Sequence, residues 1–358
     1  MRKHRFGRVG ALAGAVAVIA LAGCGSDSSS GGSGSTGSSD SGSSGEVSVD
    51  VGTGTPVKVS GKPRIAFYIF GGGNAYGVAE RKGALRAAAD YGVDVTLYDG
   101  AFDAQKQFNQ VQTAINSGRF NAFSLDPVDA NLVCNLASRT APARGIVVSV
   151  FDQPLCGRYA QPTIEGLWQP GTLNFVAGYF TIQRMHDWLE AIVREFPGPQ
   201  KVGLITGLAV DSLSKDFDSE VERVKQEHPE FEVAGEQRTD YTTTKGYAAA
   251  QTLLQANPDL TLIISDYSDL TVGASKAIEQ AGKSDQVKLA DFGGSSAVTR
   301  MVQDGSVALT TPTYPYSEAT NSIKSLVDAF EGKRVPRVGP LPFKVYTRDN
   351  IASYRPEF

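Results

Sequence analysis

A regular alternation of strand-like and helix-like segments is the feature that most constrains the fold of this chain. In the first half, strand-like runs begin 25 to 29 residues apart, which is the length of one βα unit. Most of these runs are apolar at consecutive positions, so both faces of the sheet should be covered and the strands should be parallel. The predicted strands are 64–70, 93–99, 120–126 and 145–152, and the predicted helices between them are 76–91, 103–118 and 130–143.

The alternation repeats in the second half, after a helix-like stretch at 171–196. About 300 residues follow residue 61, which is enough for two lobes of ordinary domain size. The sequence therefore predicts an α/β fold with two doubly wound, Rossmann-like lobes, each built on a parallel sheet. In this half the predicted strands are 201–206, 232–237, 260–266, 287–292 and 307–311, and the predicted helices are 214–228, 243–256, 269–281, 296–304 and 315–331.

The N-terminus carries a pattern typical of exported proteins. Basic residues within the first eight positions precede an apolar run at 9–22, which is too short to span a bilayer. The ending Leu21-Ala22-Gly23-Cys24 resembles a bacterial lipobox, which implies a signal peptide over 1–23 and a lipid on Cys24. An ordinary signal peptide with a chance cysteine is the alternative. We expect the lipidated cysteine and a flexible Gly/Ser-rich linker to occupy 24–61, with the protein anchored to the outer face of the cell membrane.

The charge balance and the remaining cysteines limit function and compartment. Lys and Arg number 34 against 38 Asp and Glu, so the chain has no electrostatic footprint for nucleic acid. With Cys24 assigned to lipid, Cys134 and Cys156 remain, and outside the cell they suggest one disulfide; a pair of buried thiols is the alternative. His186 and His228 lack the spacing of a metal site, so we expect no metal ion.

Three consecutive glycines at 71–73 raise the question whether a loop there binds phosphate. In open parallel sheets, ligands bind beyond the carboxyl ends of the strands, which is where this loop should lie. The dinucleotide motif fails because Tyr76 occupies the place of its third glycine, and no P-loop sequence is present, so no cofactor is expected. Asn74 and Tyr76 offer an amide and a ring, which suit a hydroxylated small molecule. Tyr76 as a core residue of its helix is the alternative.

Four stretches carry a family resemblance. They are "RIAFYIFGGGNAYGVAERKGALRAAADYGVDVTLYD", "GIVVSVFDQ", "DYTTTKGYAAAQTLLQANPDL" and "GASKAIEQAGKSDQVKLADFGG". In this order they are similar to segments of the type I periplasmic solute-binding proteins, specifically the ribose-binding group that serves ABC importers, and the resemblance covers about 62–335. It implies a monomer whose lobes, joined by a three-segment hinge, close on a small solute and dock on a permease. The implied N-terminal lobe is 62–168 plus 313–338, and the implied C-terminal lobe is 169–312 plus 339–358.

The same resemblance implies a binding site. Asp152 stands at the family's ligand-binding aspartate, Asn74 at an asparagine, and Tyr76 and Tyr241 at stacking aromatic residues. The ligand-binding residues predicted from the resemblance and from the strand ends are Asn74, Tyr76, Asp126, Asp152, Gln153, Trp168, Lys215, Tyr241, Tyr267, Asp269, Thr313 and Tyr314.

The chain departs from the family pattern at several of these positions. Gln153 stands where the family has an arginine, and Lys215 replaces a second arginine that holds sugar hydroxyls. Tyr267-Ser268 replaces an Asn-Asp pair, and Gly293 removes a carboxylate. These changes predict a more aromatic pocket and leave the solute class open among sugars, polyols and related compounds.

No motif of a hydrolase is present. GxSxG is absent, and the last histidine, His228, comes too early for a hydrolase triad. We therefore expect a binding protein without catalytic residues. The alternatives are a receptor that presents its ligand to a membrane sensor kinase and a secreted carbohydrate-active enzyme, since glycosidases need only paired carboxylates.

Overall fold

Strands and helices alternate through the described residues, which are 45–177 and 181–358 of the computed structural model. The strands are β1 (Val47–Val49), β2 (Val57–Val59), β3 (Arg64–Ile69), β4 (Asp94–Asp99), β5 (Ala122–Leu125), β6 (Val147–Phe151), β7 (Asn174–Ala177), β8 (Gln200–Thr206), β9 (Phe231–Arg238), β10 (Leu262–Ser265), β11 (Lys288–Gly293), β12 (Leu309–Pro312), β13 (Val338–Pro340) and β14 (Tyr346–Thr347). The helices are α1 (Ala75–Tyr91), α2 (Ala104–Ser117), α3 (Ala141–Ala143), α4 (Ile182–Glu195), α5 (Ser212–Glu227), α6 (Thr243–Ala256), α7 (Ser268–Gln280), α8 (Ser296–Asp304) and α9 (Pro315–Phe330).

Two six-stranded sheets confirm the predicted α/β fold class. The first has the order β13-β7-β6-β5-β3-β4 and is parallel throughout. The second has the order β14-β12-β11-β10-β8-β9, and it is parallel except that β14 runs antiparallel to β12. We call each sheet with its flanking helices the first and the second lobe. Both lobes belong to one compact unit, Ser44–Phe358.

Short polar side chains start several helices where the sequence predicted them. Asn74 accepts a hydrogen bond from Gly77 N at 2.9 Å, and Asp103 accepts one from Lys106 N at 2.9 Å. Asp211 does the same for α5. Each cap satisfies an amide that has no partner within its own helix. Helices α1, α2 and α5 each begin a few residues after the carboxyl end of the preceding strand.

Residues 45–61 differ from the flexible linker predicted for this range. They contain the antiparallel pair β1–β2, in which Val49, Val57 and Val59 are buried against the hydrophobic core of the first lobe. Val51, in the turn between the strands, is only 1% exposed. The alternating valines give this segment one apolar face, which the preceding Gly/Ser-rich residues lack.

The chain crosses between the lobes later than predicted. The helix-like stretch at 171–196 contains β7, which pairs with β6, so the first sheet extends beyond the predicted boundary at residue 169. β13 also pairs with β7 and spans the second predicted boundary, between residues 338 and 339. Helix α4 begins only at Ile182. The cause is burial: Phe175 and Val176 are 1% exposed, so a four-residue strand is covered on both faces and has no amphipathic alternation.

The predicted helix at 130–143 is only partly helical. A π-helical turn spans Leu136–Thr140, and α3 follows it. Before the turn, Cys134 forms a disulfide with Cys156, across a sequence separation of 22 residues. The bridge ties this helical segment to the loop that follows β6.

Several predictions concern residues outside the described part of the chain. The signal peptide at 1–23, the lipidated Cys24 and the linker up to residue 44 all lie there. Within the described residues, no helix combines the length and the apolar character needed to cross a membrane.

Candidate ligand-binding site

A cavity lies between the two sheets, at the carboxyl ends of their strands. Phe70, Asp126 and Asp152 directly follow β3, β5 and β6, and Asp266 directly follows β10 of the other sheet. The cavity has a volume of about 50 Å³, so the lobes enclose only a small space between them.

Many of the predicted ligand-binding residues line this cavity. They are Asn74, Tyr76, Asp126, Asp152, Gln153, Tyr241, Tyr267 and Thr313. Direct contact with a ligand stays a prediction for each of them. The cavity also includes residues that the prediction missed, namely Phe70, Gly71, Phe102, Leu213 and Asp266. Phe70 and Asp266 carried a usable signal, because each ends a predicted strand at the edge where ligands bind.

Trp168 and Lys215 were predicted as ligand contacts but lie outside the cavity lining. The Trp168 ring packs under the guanidinium of Arg337, 4.6 Å from the ring centroid, and its indole N–H donates to Thr172 O at 3.2 Å. Lys215 Nζ donates to Val210 O at 2.8 Å and lies 5.3 Å from the centroid of the Tyr159 ring. Both side chains therefore have partners outside the cavity. The sequence did not indicate these partners, because it showed neither the β1–β2 hairpin nor the packing at the start of α5.

Asp269 and Tyr314 are also absent from the lining. Asp269 accepts a hydrogen bond from Ala75 N at 3.1 Å, so it joins the start of α7 to the start of α1. Tyr314 precedes α9 and packs against a cluster of buried apolar side chains that includes Tyr241 and Tyr267. Asp269 therefore connects the lobes, which is a different role from the predicted one.

In the glycine-rich loop, the amide of Gly72 and the space beside Gly71 are already occupied by neighbouring side chains. Gly72 N donates to Asp99 Oδ1 at 3.0 Å, and Asn74 caps α1. A Cβ atom on Gly71 would lie 2.5 Å from the ring of Phe102, so glycine is needed for the loop to rest on that ring. Gly71 thus lies on the rim of the cavity against an aromatic ring, and the amide of Gly72 is already bound to Asp99.

Tyr76 connects the two lobes at the centre of the cavity. Its hydroxyl lies 2.7 Å from Asp152 Oδ1 and also contacts Glu318 Oε2, while its backbone N–H donates to the Tyr267 hydroxyl at 3.0 Å. The Tyr76 hydroxyl therefore lies between two carboxyl groups, one that follows β6 and one on α9.

Two cavity residues adopt the left-handed backbone conformation that favours glycine. Asp152 has φ 59° and Tyr241 has φ 61°. This conformation costs an ordinary residue about 1–2 kcal/mol, and such strain concentrates at functional sites. Tyr241 is held by its hydroxyl, which donates to Asp211, and by an edge-to-face contact with Tyr267 at 5.5 Å. Its ring lies so close to Gly207 that a Cβ atom there would be 1.6 Å away.

Hydrogen bonds from backbone amides join the lobes around the cavity. Besides the bonds from Tyr76 N to Tyr267 and from Ala75 N to Asp269, Ser212 N donates to Gln153 Oε1 at 2.8 Å. Ala160 N donates to Asp216 Oδ1 at 2.7 Å. All four donors are backbone amides and all four acceptors are side chains, so the closed arrangement can be altered by side-chain substitution alone.

Buried carboxyl groups give the cavity its electrostatic character. Burial raises the pKa of Asp126 and of Glu80 behind it, and the neighbouring carboxylate of Asp152 raises both further. Burial likewise raises the pKa of Asp266, with a contribution from Asp211. Burial raises the pKa of Asp211 to about 6, although hydrogen bonds from Ser214 and Tyr241 oppose the shift. The site is therefore poised to hold protons when nothing else compensates its carboxylates.

A possible metal-binding group occurs elsewhere in the second lobe. His186, Glu190 and Glu227, on α4 and α5, each place one ligand atom within 4.8 Å of the others. His186 Nδ1 also lies 3.1 Å from Glu220 Oε2. The group reads as a network of His–carboxylate pairs between two packed helices, separate from the cavity.

Comparison with known proteins identifies the family of this chain. Residues 65–334 match the family model described as "Periplasmic binding protein domain". The chain belongs to this family. The matched residues include both sheets except β13 and β14, and all of the cavity lining.

Individual members of the periplasmic binding protein family resemble the chain over most of its length. The ribose import binding protein RbsB of Bacillus subtilis (strain 168) is 23% identical over 275 residues, covering 77% of this chain and 84% of that protein. The D-apiose import binding protein of Actinobacillus succinogenes is 24% identical over 234 residues, covering 65% of this chain and 70% of that protein.

Solved structures of the family share the fold. An ABC transporter solute binding protein from Bacillus halodurans C-125, crystallised with myo-inositol, superposes with a TM-score of 0.73 at 18% identity, covering 83% of this chain and 99% of that chain. At this identity the similarity establishes the common two-sheet architecture.

Proposed function

We propose that the protein is a lipid-anchored, extracytoplasmic substrate-binding protein of an ABC importer that captures a small sugar, polyol or related solute. The observation that carries this proposal is the closed cavity at the carboxyl ends of both sheets, lined by aromatic rings and by polar side chains from both lobes. Aromatic rings suit the C–H faces of such solutes, and the polar groups suit their hydroxyls. The import and sugar-binding names of family members support the same conclusion.

Closure of the lobes links binding to transport. Only the closed arrangement brings side chains of both lobes into contact with one solute, so the solute stabilises that arrangement by its differential affinity. The closed protein would then dock on a permease and release the solute into the transport path. The cross-lobe hydrogen bonds from Ser212 N and Ala160 N supply part of the closing energy.

The membrane anchor rests on the sequence around Cys24. A lipid on this residue would keep the protein beside its permease, and the residues up to 44 would allow it to move about the anchor. Replacement Cys24→Ser should release the protein from the membrane fraction, and mass spectrometry of the N-terminal peptide should detect the lipid in the parent protein. An unmodified N-terminal peptide from a membrane fraction would contradict the anchor.

Ligand-induced stabilisation tests the binding function. The purified protein should melt at a higher temperature in the presence of a cognate sugar or polyol, because the solute binds only the folded state. Tyr76→Ala and Tyr241→Ala should each remove most of this shift. Tyr91→Ala, a tyrosine at the exposed end of α1, is the matched control and should leave the shift unchanged. Equal ligand-induced shifts in all three variants would contradict the assigned cavity.

A further inference from the structure

The cavity is surrounded by more buried acid than a neutral solute requires. Asp126, Asp152 and Asp266 line it, and the carboxyl groups of Glu80, Asp211 and Glu318 stand behind the lining. Each of these six side chains is at most 7% exposed. They come from both lobes and from six separate segments of the chain, so their convergence results from the fold as a whole and not from one acidic stretch.

Positive charge is missing from the same place. The lining that the structure describes contains no lysine, arginine or histidine. Lys215 donates to Val210 O, and Arg238 is ion-paired with Asp218 and Glu236. The charge of Arg238 lowers the pKa of Asp266, but burial raises it by more. An isolated group of buried carboxylates is costly unless a cation compensates it or the groups take up protons.

Two carboxyl groups are left with acceptor atoms that no N–H group of a described residue satisfies. Asp266 is fully buried and lines the cavity, and its Oδ1 has no hydrogen-bond donor, while Oδ2 accepts from Gly207 N at 3.0 Å. Asp126, also fully buried and lining the cavity, receives no N–H donor within the described part of the chain, and its polar neighbour is the carboxyl group of Glu80, with which it can share one proton. These atoms call for a donor that arrives with the ligand.

The walls beside these carboxyl groups are aromatic. Tyr241 and Tyr267 meet edge to face at 5.5 Å, and Phe70 meets Tyr241 in the same manner at 6.0 Å. Aromatic faces attract cations, most strongly in sites that exclude water. Rings and carboxylates together form the surroundings of an organic ammonium group. A hard metal ion would instead need six or more oxygen ligands, and the possible metal-binding group of the second lobe lies on α4 and α5.

We infer that the solute carries a protonated amino group beside its hydroxyls, as an amino sugar or an amino polyol does, and that Asp266 and Asp126 receive this group. The inference rests on the proposed solute-binding function and narrows its substrate class. An ammonium group supplies three donors and one positive charge, which together satisfy the open acceptors and compensate the acidic cavity. The small volume of the cavity limits the solute to a compact molecule.

Matched pairs of compounds test the inference by calorimetry and melting. The purified full-length protein is titrated with D-glucose and D-glucosamine, D-galactose and D-galactosamine, and myo-inositol and an inosamine, with N-acetyl-D-glucosamine as the uncharged amine derivative. We expect at least one amino compound to bind roughly 10-fold or more tightly than its hydroxyl counterpart, and acetylation to abolish the gain. A preference for the neutral members would overturn the inference and leave the solute-binding function standing. No binding by any member would count against both.

Substitutions then locate the amino group. Asp266→Asn keeps the shape of the side chain. It should lower the affinity for the amino compound by roughly 10- to 100-fold and have little effect on the affinity for its hydroxyl counterpart. Asp291→Asn is the matched control: Asp291 is equally buried within the neighbouring strand β11, but Ser268, Thr271 and Thr310 satisfy it and it lies outside the cavity lining.

The control should leave the ratio of amino to neutral affinity unchanged, even if the protein becomes less stable. Asp126→Asn provides a second variant in the other lobe, should Asp266→Asn fold poorly. If both cavity variants keep the parent ratio, the assignment of the amino group to these carboxylates is wrong.

Discussion

Replacing Asp269 with alanine should shift the protein from the closed towards the open arrangement of its lobes. The carboxylate accepts a hydrogen bond across the lobes from Ala75 N at 3.1 Å. Bonds to a charged acceptor contribute about 1.5–3 kcal/mol, and because this carboxylate is only partly buried we take the lower end, about 1.5 kcal/mol. The open-to-closed ratio should therefore rise roughly tenfold. Where the ligand-free protein is mostly open, the apparent affinity for a solute should fall by the same factor.

Distances between labels on the two lobes measure this shift. Lys82 on α1 and Lys276 on α7 are exposed and suit spin labels. Asp103→Ala is the control, because it also removes an acidic side chain from the start of a helix, where it caps α2 through Lys106 N. It should lower the melting temperature without changing the distances. If Asp269→Ala gives the parental distance distribution and affinity, the bond to Ala75 does not stabilise closure and the reasoning fails.

Three further predictions concern stability and the shape of the site. Cys134→Ser with Cys156→Ser should lower the free energy of unfolding by about 3 kcal/mol in urea titrations, given the 22-residue separation that the disulfide closes; an unchanged midpoint would contradict it. Burial raises the pKa of Asp216 to about 7, so the folded protein holds a proton that the unfolded chain releases near pH 4. The free energy of unfolding should therefore fall by up to about 4 kcal/mol as the pH rises from about 4 to 7, and Asp216→Asn should flatten this slope. Gly207→Ala should abolish ligand-induced stabilisation, because its Cβ atom would lie 1.6 Å from the Tyr241 ring; a normal shift would show that the ring can move.

The lobes and the strand-end residues could be predicted because their signals are local. Asp126 and Asp152 each end a run of consecutive apolar residues, and parallel sheets bring such ends to one edge. Strand β7 could not be recognised, since its burial depends on β13, which follows more than 150 residues later. The β1–β2 hairpin was not predicted, because it directly follows a Gly/Ser-rich segment and was assigned to the same linker.

The acidic character of the site was not predictable for a similar reason. Glu80 precedes Arg81 and Lys82, and this sequence is typical of a solvent-exposed helix face. In the structure Glu80 is fully buried, because α1 packs closely on α9 and turns this side chain towards Asp126. Glu318 is buried at the start of α9 by the same packing. Which of several charged helix positions points inward depends on the partner helix, and the chain itself does not mark it.

Closure and charge are physically coupled in this cavity. Asp152 belongs to the first lobe and Asp211 caps α5 of the second, and their proximity contributes to the raised pKa of Asp211. Next to them, Gln153 accepts from Ser212 N, so the contact that closes the lobes also brings like charges together. Without a cation, closure must be accompanied by proton uptake or resisted by repulsion. A solute with an ammonium group removes this penalty, whereas an anionic solute would increase it. The protein can therefore select its solute by the energy of closing around it as well as by direct contacts.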